Sequence, residues 1–356
     1  MAITLSRADF CRVSLTGLLG AACRDEAQPG LREAAAEPKP APASASKKAT
    51  TTVAKRKLGS TGEMVSMLGL GGAHIGKKDK LTDAESIALM RDAIEQGITF
   101  FDNCWDYNEG LSEERMGKAL ADGYRSRVFL MTKLDGRTAQ AATAQLEQSL
   151  KRLRTDRIDL VQVHEIIRWE DPERCFAPDG IIGALTRAKQ QGKLRYVGFT
   201  GHKEPKMHLK MLEAAQKAGF QFDAVQMPLN VMDAHFRSFE REVLPVLEKQ
   251  GIAVLGMKSM GSGDILKSGV VTAKECLRYA LSLPTSVVIT GIDDRKVLEQ
   301  AVELGRSFVP LGAQERRELL ARTEAAAKSG KHELFKTADK FDGTAKNPHW
   351  LETARL

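Results

Sequence analysis

Cysteine is scarce in this 356-residue chain: there are five (Cys11, Cys23, Cys104, Cys175, Cys276), scattered and without a C-x-x-C pair. That excludes a disulfide scaffold, a zinc ribbon and a Cys-ligated iron–sulfur cluster. Aromatic residues make up only 6% of the chain, too few to interleave with cations along a nucleic-acid surface. No apolar run approaches the roughly 20 residues of a membrane-spanning helix. Excess charge of one sign is also missing from most of the chain. The net +7 is uneven: residues 1–56 hold nine Lys/Arg and five Asp/Glu, so the other 300 residues carry only +3 with both signs interspersed. A nucleic-acid binder concentrates its cations on one element, so nucleic acid is not expected as a partner.

The first segment present is an N-terminal extension. Arg7 and Arg12 precede a mildly apolar run over 13–22 that ends in small residues before Cys23. That charged, apolar, small-residue order is the pattern of a secretory signal over residues 1–23. The stretch SRADF at 6–10 is similar to a twin-arginine export signal with Ala8 in place of the second arginine. Cys23 is similarly placed to a lipoprotein cleavage site, making it a candidate lipid anchor. An exported or periplasmic protein is the expectation, with a cytoplasmic one as the alternative. Residues 24–54 contain thirteen Ala or Pro among thirty-one and cannot bury enough apolar surface to offset their ordering entropy. A disordered tether is expected there.

From residue 55 onward the pattern alternates. Residues 55–66 read as a β-hairpin around Ser60, Thr61 and Gly62. Eight apolar strand candidates follow, at 67–71, 98–102, 128–132, 158–164, 194–199, 224–227, 252–257 and 287–290. Amphipathic helical segments lie between them, at 82–95, 113–121, 139–153 and 205–218, the first with Thr82 and Glu85 as a capping box and Gly97 as its stop. Eight strands alternating with helices predict an α/β fold of the closed (β/α)8 TIM-barrel type over 55–326, with an N-terminal hairpin and a C-terminal extension at 327–356. An open dinucleotide-binding sheet would need G-x-G-x-x-G; the run LGLGGAHIG at 68–76 has Gly69 and Gly71, but His74 stands at the third glycine position. There is no G-x-x-x-x-G-K-[ST] phosphate loop either.

Barrel chemistry sits at the carboxyl ends of the strands. There the second, third and fourth candidates end at or beside Asp102, Lys133 and His164, spaced 31 and 31 residues apart. Tyr107 follows Asp102 by five. Singly, a strand-end Asp caps turns, a Lys snorkels and a His fills a core; together they form one acid–base set. An ammonium beside a phenol favours phenolate, a carboxylate holds the ammonium, and an imidazole can donate to a carbonyl. Such a set protonates a carbonyl oxygen as hydride reaches the carbon. His164 has no second His at ligand spacing, so no metal is expected. Cys104 reads as a small filler.

These residues resemble the aldo-keto reductases, over most of 55–310. The most specific segments are 100–118 (FFDNCWDYNEGLSEERMGK), 129–133 (FLMTK) and 159–164 (DLVQVH). The resemblance implies a (β/α)8 oxidoreductase that uses NADP(H), or alternatively NAD(H), with Asp102, Tyr107, Lys133 and His164 as its tetrad and Tyr107 as general acid. The N-terminal tail and C-terminal arm resemble those of exported bacterial members.

The resemblance also places a cofactor site, with departures. Thr200 and Gly201 stand where a Ser-Asn pair contacts the carboxamide, and Gln226 matches the carboxamide-binding Gln. Met257 replaces the usual stacking Tyr. Lys258 and the following SMGSG, with Gly261 and Gly263, can cradle pyrophosphate. At 289–300, Gly291, Arg295 and Gln300 fall at the adenosine end, where Asp293 favours a free ribose hydroxyl and Arg295 a phosphate. The arm is expected over the barrel mouth, with Trp105 and Trp169 walling a substrate pocket. The expected partner is a small carbonyl compound, and a monomer is the default. The second functional class is a cofactor-sensing regulatory subunit with little turnover, which needs Tyr107 less.

Overall fold

The computed structural model describes residues 52–353. The signal-like segment 1–23, Cys23 and all but the end of the expected tether lie outside the described residues. Packing has already begun at Val53, which is buried, and the Ala54 carbonyl accepts from Met67 N at 2.9 Å. No helix among the described residues is long and apolar enough to cross a membrane.

Strands β1 (Lys55–Lys57) and β2 (Met64–Ser66) form the antiparallel hairpin. The remaining strands are β3 (Leu68–Gly71), β4 (Phe100–Asp102), β5 (Phe129–Leu134), β6 (Ile158–Val163), β7 (Leu194–Thr200), β8 (Ala224–Pro228), β9 (Ala253–Met257) and β10 (Val287–Gly291). They are parallel and close in sequence order, with β10 pairing back onto β3. This is the (β/α)8 barrel expected from the strand–helix alternation.

Two cores result. Inside the barrel, Phe100, Phe129, Met131, Leu160, Leu255, Val287 and Ile289 pack together, and Leu58 and Val65 of the hairpin join this cluster. Phe100 and Phe129 stack at 5.3 Å. The larger core lies between strands and helices. Several helices start at side-chain caps: Thr82 and Glu85 form the expected capping box before helix Asp83–Glu95, Thr272 and Glu275 another before Ala273–Ser282, and Asp294 caps Arg295–Arg306. The glycine run after β3 has a steric reason. A Cβ on Gly72 would stand 2.6 Å from the Asp102 carbonyl oxygen, so only glycine lets this turn pass β4.

Beyond the helix Ala313–Ala327, an arm carries short helices Leu334–Thr337 and Gly343–Lys346 and a 3-10 turn, Pro348–Leu351. It is fastened beside the carboxyl end of β6. Glu165 accepts from Gly343 N, Thr344 N and the Thr344 hydroxyl at 2.9, 2.7 and 2.7 Å. Asp342 sits 3.0 Å from His202 Nε2 and 2.8 Å from Lys203 Nζ, and Gln145 donates to the Trp350 and Thr353 carbonyls. Deeper, Lys336 is enclosed between Asp233 (2.6 Å) and Glu333 (2.9 Å).

Candidate active site

Parallel pairing carries Asp102, Lys133 and Gln226 to one rim of the barrel. The Lys133 ammonium is ion-paired with Asp102, donates to the Asn103 carbonyl at 2.8 Å, and reaches the Tyr107 hydroxyl at 3.2 Å. It also lies 4.7 Å from the Tyr107 ring centroid. Gln226 Nε2 donates to the other Asp102 oxygen at 2.6 Å. Lys133 and Asp102 are both almost fully buried. His164 follows β6, its ring 6.0 Å from that of Tyr107 and edge-on to it. The four residues expected to converge do so.

The electrostatics differ from the sequence-based expectation at Tyr107. Burial holds its phenol well above the ordinary value of 10, helped by the negative charges of Asp102 and by Cys104, Asp106 and Glu165. Lys133 does not reverse this, because Asp102 balances its charge. The resting phenol therefore keeps its proton. At His164, burial disfavours the imidazolium, but Asp135, hydrogen-bonded to Nδ1 at 2.8 Å, together with Asp106 and Glu165, raises its pKa on balance. Asp106 is pushed up to about 7, by burial and by Asp135.

A cavity of about 200 Å³ opens beside Tyr107, bordered by Asp102, Gln226, Met257, Lys258, Gly263 and Gly291. It adjoins a cleft of about 560 Å³ that Lys274, Asp293, Val297 and Gln300 line. His74 and Gly291 border both, and a Cβ on Gly291 would stand 2.4 Å from the His74 ring. Together the two spaces form a groove that runs from Tyr107 to Gln300.

Two features in and beside the groove fit a dinucleotide, although Thr200, part of the first, borders neither cavity. Gln226 Oε1 and Thr200 Oγ1 are buried without a hydrogen-bond partner among the described residues, at directly paired positions of β7 and β8. Both can accept from the amino group of a carboxamide. After β9, Lys258, Gly261, Ser262 and Gly263 all have positive φ (57°, 57°, 58° and 94°), a backbone form that turns N–H groups toward an anion. Burial lowers the Lys258 pKa to about 8, with Lys133 and Lys340 adding to this against Glu165.

Other expected positions fall elsewhere. Gly201 packs against the Ile166 carbonyl and Gly261 against that of His332, neither of them bordering the groove. Arg295 is turned to Asp92 at 3.3 Å rather than into the cleft. Trp105 does not wall a pocket: it is wholly buried, donates to Gln148 at 2.7 Å and meets Trp350 edge-on. Its side chain lies in the core between strands and helices. Trp169 is half-exposed and borders neither cavity.

Asp135, Asp106 and Glu165 were missed in the sequence. Asp135 had a signal, since it lies two residues past Lys133 and strand alternation puts i and i+2 on one face.

Residues 67–275 match the Aldo/keto reductase family. An aldo-keto reductase of Alternaria alternata is 30% identical over 259 residues, covering 62% of this chain and 68% of its own. The L-galactose dehydrogenase of Arabidopsis thaliana is 28% identical over 237 residues, covering 62% of this chain and 69% of its own. Among solved structures, an aldo-keto reductase of Bacillus halodurans in its holo form superposes with a TM-score of 0.63 at 24% identity, over 76% of this chain and 96% of the other. The last likeness is one of fold.

Proposed function

The chain belongs to the Aldo/keto reductase family, and from that premise we propose that it is an NAD(P)H-dependent oxidoreductase that reduces an aldehyde or ketone to the alcohol, with Tyr107 as the general acid. The bound nicotinamide supplies the hydride. The rest falls to this chain's own residues.

Tyr107 holds the proton the carbonyl oxygen must receive. Its raised pKa keeps that proton in place until charge develops on the oxygen. Once the proton leaves, the Lys133 ammonium, 3.2 Å from the phenol oxygen, stabilises the phenolate. Asp102 and the Asn103 carbonyl fix that ammonium in position. His164 orients the carbonyl by donating a hydrogen bond to its oxygen. Gln226 and Thr200 would hold the carboxamide of the cofactor, Met257 would lie against its ring, and Lys258 with the turn through Gly263 would hold the pyrophosphate. Gln300 and Gly291 border the adenosine end of the groove.

The observation that carries the reading is the Lys133–Tyr107 contact beside the groove that runs on to Gln300. The test follows nicotinamide absorbance with the full-length protein against a panel of aldehydes and ketones. Tyr107→Phe should lose roughly 10²- to 10⁴-fold in turnover with cofactor affinity retained. Turnover unchanged in Tyr107→Phe would remove the tyrosine from the chemistry. Cofactor binding with no turnover on any carbonyl would favour the regulatory reading instead.

A further inference from the structure

Beside the tetrad, on the side facing the arm, four side chains converge that do not all serve the reductase reading. Cys104 Sγ, one oxygen each of Asp106 and Asp135, and a ring nitrogen of His164 all lie within 4.8 Å of one another. His164 Nδ1 is 2.8 Å from Asp135 Oδ1, 3.2 Å from Cys104 Sγ and 3.8 Å from Asp106 Oδ1. In a tetrahedral zinc site the ligand–ligand edges are about 3.3 Å between N and O and about 3.6 Å between S and N, from the usual bond lengths. The two N–O distances fall on either side of 3.3 Å and the S–N distance is shorter than 3.6 Å, so side-chain rotations would bring the four to tetrahedral spacing.

Charge and hydrogen bonding point the same way. Asp106 Oδ1 and Asp135 Oδ2 are buried with no hydrogen-bond partner among the described residues, and Asp135 is wholly buried. A buried carboxylate oxygen without a partner is costly unless a cation meets it. The nearby cations are engaged elsewhere: Lys133 with Asp102, and Arg137 with Asp171 and the carbonyls of Asp135, His164 and Glu165. Among the four, the imidazole is the one group that can carry positive charge, set against two carboxylates and a thiol.

We infer that Cys104, Asp106, Asp135 and His164 form a binding site for one divalent transition-metal ion of the zinc class. A thiolate and an imidazole among the donors select zinc, cobalt or a similar ion over magnesium or calcium. Binding replaces the thiol proton of Cys104, the proton shared by Nδ1 and Asp135, and the proton Asp106 carries when neutral, all of which pass to water. Asp106, the least buried of the four, is the side from which the ion enters. A metal on Nδ1 leaves the remaining imidazole proton on Nε2, so the ring stays a hydrogen-bond donor. That consequence for carbonyl polarisation rests on the reductase reading, while the site itself does not.

The experiment strips the full-length protein with chelator, titrates it with Co²⁺, and measures zinc content by mass spectrometry after reloading. The expected result is one ion per chain, with visible bands of tetrahedral Co²⁺ and a thiolate-to-cobalt charge-transfer band. Cys104→Ala should abolish the charge-transfer band, and Asp135→Asn should weaken binding at least tenfold. If Cys104→Ala does not fold, as read by circular dichroism, Asp106→Asn at the more open edge supplies the contrast and should also bind at least tenfold more weakly. No saturable uptake, or uptake unchanged in the folded variants, overturns the site. Because the readout is metal, not turnover, a site that binds cobalt in a protein whose Tyr107→Phe variant is unimpaired would separate failure of the reductase reading from failure of this one.

Discussion

Lys258 shows how one side chain can be legible in kind and hidden in condition. The sequence placed a cation after the seventh barrel strand beside a glycine-rich turn, and the structure puts it there, with the Phe341 ring 4.1 Å from its ammonium. Its surroundings could not be read, because Phe341 arrives from the arm more than eighty residues later. Burial lowers its pKa to about 8, and a bound pyrophosphate would raise it again. Above that pH the free protein must take up a proton to bind, so the dinucleotide Kd should rise with pH, by up to about tenfold per unit. Calorimetry in buffers of different ionisation heat reads that uptake directly. In Lys258→Met, binding should be weaker and its pH dependence flat; a wild-type Kd constant across this range would show that Lys258 does not meet the phosphate. Tyr107 holds the contrasting lesson. Its position was legible from the 31-residue spacing around it, but the direction of its pKa was not, since burial and the acids around it outweigh the one neighbouring ammonium.

At the scale of elements, the barrel strands could be read from short apolar runs because both faces of each are covered. Their ends could not. The second barrel strand was expected from 98 and pairs only over Phe100–Asp102, whereas β5 continues to Leu134 because β6 offers partners as far as Val163. The arm had no local signature, since its bonds reach back across some 180 residues to Glu165. Glu165 itself stands at φ 48°, an uncommon backbone form for a non-glycine residue, and its carboxylate meets three donors of the arm. Glu165→Ala should release that contact: the amides of Gly343 and Thr344 should exchange roughly ten- to a hundredfold faster, in line with the loss of charge-assisted hydrogen bonds. Hydrogen-exchange mass spectrometry checks it, and unchanged protection at those amides would mean the arm is held by its other bonds alone.

For the whole molecule, the buried trio Asp233, Glu333 and Lys336 couples stability to pH. Two carboxylates face one ammonium, and burial, with the Asp233 charge, pushes Glu333 up to about 7. A carboxyl raised above its ordinary 4.5 binds a proton more tightly when folded. Its contribution is therefore complete below the ordinary value and is lost as pH climbs through about 7. Thermal unfolding should show the wild type losing stability across that window, by at most about 3 kcal/mol from this group. Glu333→Gln, which keeps the amide contact to Asn230 without the charge, should remove that part of the decline. Parallel Tm curves for the two proteins would contradict it.

One attachment has a consequence for engineering. The carboxylate that grips the arm belongs to the residue immediately after His164, so the arm's anchor and the imidazole stand on neighbouring residues. An arm borrowed from another barrel and grafted here would have to bring its own match for Glu165. Without it, the graft would disturb the setting of His164 along with the arm itself.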